Sequence, residues 1–274
     1  MEMPFELVTV EHSNGSLHGL WSHTANSKGV AVHVHGTWGN FYGNALIART
    51  ARLYASHGLD FVTVNFPGHD ETAIDENIDD FAPALDRWLA LVGSSHTPVL
   101  LQGHSLGAVK IADAIVSDRL PRSVVGVVML APFDVVAFYS RATEGNIEKL
   151  HQELERASDD DHGLVPTRLF DSWLISTRAM RNLTTPGGRW DQFPTRNGDP
   201  GAALSRTTVP IITLIGGDDF AATPSPPDAV SILTGPQSRS IGSVVPGAPH
   251  NFAGRETELV SAIDDWLKTA EIRW

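Results

Sequence analysis

The sequence predicts an α/β protein, a mostly parallel sheet covered by helices, on three observations. Short β-branched and apolar runs recur along the chain, helix-period stretches separate them, and this alternation stops after Pro132. The runs are FELVTVEH (5–12), VAVHVH (30–35), LDFVTVNF (59–66), PVLLQ (98–102), VVGVVMLA (124–131), VPIITLI (209–215) and IGSVV (241–245). Most are apolar enough to be buried on both faces, as strands of a parallel sheet are. Residues 5–23 read as an antiparallel hairpin turned at Asn14-Gly15. Between the runs, Ile78, Phe81, Leu85, Leu89 and Val92 fall on one helical face, as do Leu259, Ile263, Trp266 and Leu267 near the C-terminus. Strands alternating with helices imply crossover connections and a single covered sheet.

From 134 to 206 no strand pattern appears. A polar helical stretch covers about 144–157, then come the acidic run Asp159-Asp160-Asp161 and a segment with Trp173, Trp190 and six arginines. This stretch reads as an insertion into a core formed by 1–133 and 207–274. Arg178 and Arg181 lie three apart on an expected helix, a spacing suited to a substrate carboxylate or phosphate. Asp171, Asp191 and Asp199 are available to pair with the arginines, which makes a solvated charged surface the plainer reading. Phe170, Trp173 and Met180 read as apolar filling of the insertion or as pocket lining.

Composition narrows the chemistry. The chain has no cysteine, so disulfides, thiol nucleophiles and thiolate metal sites are excluded. A net charge of −12 argues against a nucleic-acid partner, which would need clustered Lys and Arg. No apolar run is long enough to suggest a membrane partner, and MEMPFELVTVEHSNG lacks the basic and apolar blocks of a secretory signal. A cytoplasmic location is therefore expected. His33 and His35 sit on one face of a strand, yet no carboxylate clusters beside them in sequence. Neither they nor His69 carry a metal expectation.

Catalytic potential concentrates in three segments. PVLLQGHSLGAVKIADAI sets Gly103, Ser105 and Gly107 between a buried strand and an amphipathic helix bearing Leu106, Val109, Ala112 and Ile115. A G-x-S-x-G turn in that setting lifts a serine hydroxyl above the sheet at a helix amino terminus. Because a serine hydroxyl is a weak nucleophile at neutral pH, it needs an imidazole base held in one tautomer by a carboxylate. IITLIGGDDFAATP delivers Asp218 and Asp219 at the end of a strand, and SVVPGAPHNF places His250 in a loop before the last helix. The residue after the nucleophile, Leu106, supplies one backbone N–H to an oxyanion.

GHSLG, IGGDDF and PGAPHNF, in this order, resemble the nucleophile, acid and histidine segments of α/β-hydrolase superfamily serine hydrolases of the esterase, lipase and thioesterase kind. The resemblance spans nearly the whole chain. It implies an eight-stranded sheet with a helical cap entering after strand six, which matches the break after Pro132 and makes 134–206 the cap. It implies Ser105 as nucleophile, His250 as base and Asp219 as acid. Asp134, in LAPFDVV, is the serious rival, since some members draw the acid from there, and Asp218 is a second. HGTWGNFYG resembles the family's oxyanion loop and nominates the Thr37 amide beside that of Leu106, with Trp38 next. Trp38, Phe41, Tyr42 and His104 are then expected to border the substrate. The implied reaction cleaves an ester, thioester or lactone of a small acyl compound through an acyl-enzyme, with no metal or organic cofactor. Transfer to another nucleophile or cyclisation would use the same triad, a hydroxynitrile lyase the same residues without an acyl-enzyme, and a non-catalytic binding protein the same fold. Epoxide hydrolases and haloalkane dehalogenases place an aspartate where this chain has Ser105.

Overall fold

The structure is a computed structural model that describes residues 4–13, 15–37, 39–42, 45–68, 74–93, 96–156, 163–165, 174–234, 239–272 and 274. Asn14, Trp38, His69, the run 159–161, Arg168, Phe170, Asp171 and Trp173 lie outside them.

Eight strands form one sheet: β1 (Glu6–His12), β2 (Gly15–Ser22), β3 (Val30–Val34), β4 (Asp60–Val64), β5 (Val99–His104), β6 (Val124–Leu130), β7 (Ile211–Gly216) and β8 (Ser240–Val245). Their order is β1-β2-β4-β3-β5-β6-β7-β8. β1 and β2 pair antiparallel, β2 pairs antiparallel with β4, and every later pairing is parallel. All of the strand runs expected from sequence appear. β5 reaches further than its run PVLLQ, through Gly103 to His104, because Ser105 N–H continues the ladder onto the Leu130 carbonyl at 2.9 Å.

Strand alternation sorts the core into two layers. Val30, Val32, Val34, Val62, Val64, Leu101, Val127, Met129, Ile211 and Ile215 share one buried cluster, while Ala31, Phe61, Leu100, Val128, Leu130, Ile212 and Leu214 share another. The second layer is covered by α1 (Ala45–Ser56) and α9 (Glu256–Thr269), through Leu46, Tyr54, Leu259, Ile263 and Trp266. The first is covered by α2 (Phe81–Val92), entered through a tight turn at Ile78–Asp80, and by α3 (Leu106–Val116).

Helix α3 departs from the amphipathic helix its sequence suggests: Leu106 to Ile115 are buried throughout, including Lys110 and Asp113. The cause lies between β6 and β7, in α4 (Val135–Ala142), α5 (Ile147–Arg156), α6 (Thr177–Thr184) and α7 (Ala202–Arg206). Their buried Leu150, Leu154, Met180, Leu183 and Leu204 join the same cluster as α2 and α3. Among the described residues this segment holds no strand, only the isolated bridges Ile74↔Ile175 and Leu164↔Ser176. One further helix, α8 (Pro226–Thr234), follows β7. Among the described residues no helix is long and apolar enough to cross a membrane.

The described arginines of this segment do not form a free charged surface. Arg178 forks onto Asp75, with contacts of 2.7 and 3.2 Å, and Arg189 onto Asp113 at 2.6 and 3.0 Å, with Asp79 as a further partner. Arg196 binds Asp191 at 2.6 and 2.8 Å and Asp134 at 2.5 Å. Arg181 and Arg206 donate to the carbonyls of Leu154 and Val116. Of the acids expected to pair with them, Asp191 does so, whereas Asp199 accepts from the nearby Gly201 N–H. Lys110 on α3 is neutralised by Glu76 at 2.6 Å, with 3% and 2% of the two side chains exposed. Asp75, Asp79 and Glu76 precede α2, so three ionic ties fasten this stretch to α3 and to the β6–β7 segment.

Candidate active site

Ser105 sits between β5 and α3 at φ 56°, ψ −123°, a left-handed backbone that a non-glycine residue adopts only under local constraint. Close packing supplies the constraint. A Cβ on Gly107 would fall 2.1 Å from the Val34 carbonyl oxygen, so only glycine lets α3 start against the end of β3. A Cβ on Gly36 would fall 2.6 Å from Ser105 Cβ and 3.2 Å from Leu106 N, which places the loop after β3 directly beside the elbow. Leu106 opens α3, so its N–H is one of the first four in the helix that find no partner within it. Thr37 follows Gly36 in a turn closed by the Gly39 N–H on the Gly36 carbonyl at 3.0 Å.

The other two segments converge on the same point. Beyond β7, Asp219 turns back through its N–H to the Gly216 carbonyl, and its buried carboxylate accepts from Ala221 N–H at 2.8 Å. Beyond β8, His250 lies with Nδ1 2.8 Å from Asp219 Oδ1 and Nε2 2.8 Å from Ser105 Oγ. A carboxylate only accepts, so Nδ1 carries the proton and Nε2 is free to accept from the serine hydroxyl. Asp218 is exposed, and its N–H donates to the Ala248 carbonyl at 2.9 Å. Asp134 is fully buried, but it caps α4 through Ala137 N–H and accepts from the Arg196 backbone and guanidinium.

His104 packs against the histidine loop. Its Nε2–H donates to the His250 carbonyl at 2.9 Å, and its ring lies 5.4 Å from that of His250. Burial first, and then the neighbouring His250, push the His104 imidazole down to about 4. His33 is lowered to about 3, mainly by burial; its Nδ1 accepts from Gln102 Nε2 at 2.8 Å, and Tyr54 donates to Gln102 Oε1 at 2.6 Å. His35 Nδ1 lies 2.9 Å from the Gly36 carbonyl. Among the described residues no three His, Asp or Glu side chains converge as metal ligands. Phe41 donates its N–H to Asn65 Oδ1 and meets Tyr42 edge to face at 5.0 Å, with Tyr42 67% exposed.

The sequence matches the model of the alpha/beta hydrolase family over residues 31–262. The chain belongs to that family. No curated protein matches it. Solved structures agree in fold at low identity. The siderophore hydrolase EstB from Aspergillus fumigatus superposes with a TM-score of 0.72 at 17% identity, covering 97% of each chain. A soluble variant of monoglyceride lipase from Saccharomyces cerevisiae gives 0.70 at 14%, covering 97% of this chain and 96% of that one. The thioesterase domain from the curacin biosynthetic pathway gives 0.59 at 16%, covering 97% and 100%.

The sequence reading of this alpha/beta hydrolase missed an aromatic group around His250. Phe133 and Phe220 both lie against the imidazole, and Phe138 touches both. They come from the loop after β6, from α4 and from the loop after β7. No single stretch of sequence has a period that would reveal them. Only the position of Phe220, beside Asp219, was a usable signal.

Proposed function

We propose that this chain is a serine hydrolase that cleaves a carboxylic ester or related acyl bond, a thioester or lactone, in a small-molecule substrate. The observation that carries the reading is the continuous Ser105–His250–Asp219 relay, 2.8 Å at each step, on a nucleophile held at positive φ. Ser105 Oγ attacks the acyl carbon as His250 Nε2 takes its proton, and the oxyanion rests on the Leu106 amide with the Thr37 amide as second donor. The imidazolium then protonates the leaving oxygen as its bond to carbon breaks, leaving Ser105 acylated. A water enters, gives a proton to His250 and attacks the same carbon. Collapse releases the acid and returns the proton to Ser105. Asp219 stays ionised and fixes the imidazole throughout.

In this reading residues 134–206 form the cap, and 1–133 with 207–274 the catalytic core. The ties from Arg178 to Asp75 and from Arg189 to Asp113 support a cap docked on the core and held there. The test is labelling with a fluorophosphonate probe, followed by turnover of p-nitrophenyl esters, acyl thioesters and lactones. Ser105 is expected to label and to be required for turnover of at least one class. Folded protein that neither labels nor turns over any of them would refute the assignment.

A further inference from the structure

The aromatic residues around His250 close into a ring. Phe133 meets the imidazole edge to face at 5.7 Å and Phe138 edge to face at 5.6 Å; Phe138 meets Phe220 at 5.9 Å, and Phe220 returns to His250 at 5.3 Å. Phe133 is buried and Phe138 partly so, but Phe220 is 65% exposed. A phenyl ring that keeps so much surface in water gains little from burial, so core packing does not account for it.

Its backbone is nevertheless firmly held. On one side Ala221 N–H binds Asp219, and on the other Arg141, at the end of α4, donates to the carbonyls of Phe220 and Ala221 at 3.1 and 3.3 Å and to Thr223 Oγ1. An apolar face is therefore presented at a fixed position beside the proton-carrying imidazole.

Acid–base chemistry says what belongs there. In the proposed reaction the His250 imidazolium must reach the leaving oxygen within hydrogen-bond distance, so the departing group lies next to that ring. We infer that Phe220, backed by Phe138, is a specificity-determining contact for the leaving group and selects esters of flat or extended apolar alcohols over those of small polar ones. This inference rests on the hydrolase reading above and names the leaving-group side of its substrate.

Benzyl acetate and ethyl acetate test it, because they share an acyl group and release alcohols of similar acidity. The wild-type protein is expected to prefer the benzyl ester in kcat/KM. Phe220→Ala should reduce that preference roughly three- to tenfold, the range of one aromatic contact, while Phe220→Trp keeps it within about twofold. Because the readout is a ratio, a smaller folded fraction of either variant leaves it unmoved. Benzyl alcohol should also inhibit wild type more strongly than Phe220→Ala. An equal benzyl-to-ethyl ratio in wild type and Phe220→Ala would overturn the inference and leave ester hydrolysis standing. No Ser105-dependent turnover of either ester would overturn both.

Discussion

Asp134 and Asp219 leave adjacent strands at the same edge of the sheet, and both carboxylates are wholly buried. Their partners differ. Asp134 is surrounded by Ala137 N–H, Arg196 N–H and the Arg196 guanidinium, a cation at every accessible pH. Asp219 directs a single oxygen to Ala221 N–H and His250 Nδ1, and its other oxygen is buried without a hydrogen-bond partner among the described residues. The first carboxylate is already paired with a cation: it caps α4 and holds the turn at Arg196. The second faces a group that becomes charged only when it takes a proton, which is what a base-orienting acid requires. Burial at the sheet edge does not distinguish the two. The timing of the partner's charge does.

The largest expected effect is on turnover. Asp219→Asn should lower kcat by about 10⁴, the scale seen when a triad acid is replaced and the imidazole tautomer is lost. Asp134→Asn should leave kcat of the folded protein within about tenfold of wild type. It should instead cost roughly 2 kcal/mol of stability, because the cap of α4 and one partner of Arg196 are weakened. Steady-state kinetics beside urea unfolding of the same two variants separates the cases. Near-normal turnover in Asp219→Asn together with a collapse in Asp134→Asn would reverse the comparison.

The Lys110–Glu76 pair extends the comparison to a site that has only the architectural half. Lys110 lies on the helix that Ser105 begins, yet its ammonium is committed to a carboxylate 2.6 Å away and nearly sealed from water. Lys110→Met strands a buried negative charge and should lower unfolding free energy by about 3–5 kcal/mol; adding Glu76→Leu should recover most of that loss. Denaturant titration of the single and double variants checks both. A single variant as stable as wild type would mean that the pair does not bear on the fold.

These contrasts also mark what the sequence made legible. The strands were readable because burial on both faces writes itself as continuous apolar runs, and the meeting of Ser105, Asp219 and His250 because each follows a recognisable strand. The partners of the charges were not. Asp75, Asp79 and Glu76 lie far in sequence from Arg178, Arg189 and Lys110, and long-range ion pairs leave no local period. The same reason hid the burial of α3, whose polar residues read as a solvent face until the β6–β7 segment is seen to cover them. Choosing Asp219 over Asp134 required the family resemblance, since both follow an apolar strand. Their coordinates separate them by partner.

A smaller effect bears on the electrostatics of the His250 side. Arg196 places a standing positive charge at Asp134, but His104, whose ring lies 5.4 Å from that of His250, is held down at about 4, and His33, which feels His104, at about 3. Both therefore remain neutral, and neither adds a cation to the His250 side. The linkage has a definite sign. Between the unfolded value near 6.5 and these lowered values the unfolded chain binds more protons than the folded one, so stability falls as pH drops through that window. At pH 5.5 each imidazole should cost about 1 kcal/mol relative to neutral pH, and progressively more toward pH 4. His33→Gln, which can still accept from Gln102, removes one of the two groups and should make the acid limb of a stability–pH curve shallower by roughly one proton. An unchanged slope would mean that His33 is protonated in the folded protein. A charged His33 would then act on His104, the imidazole packed against His250, and the contrast between the two carboxylates would narrow.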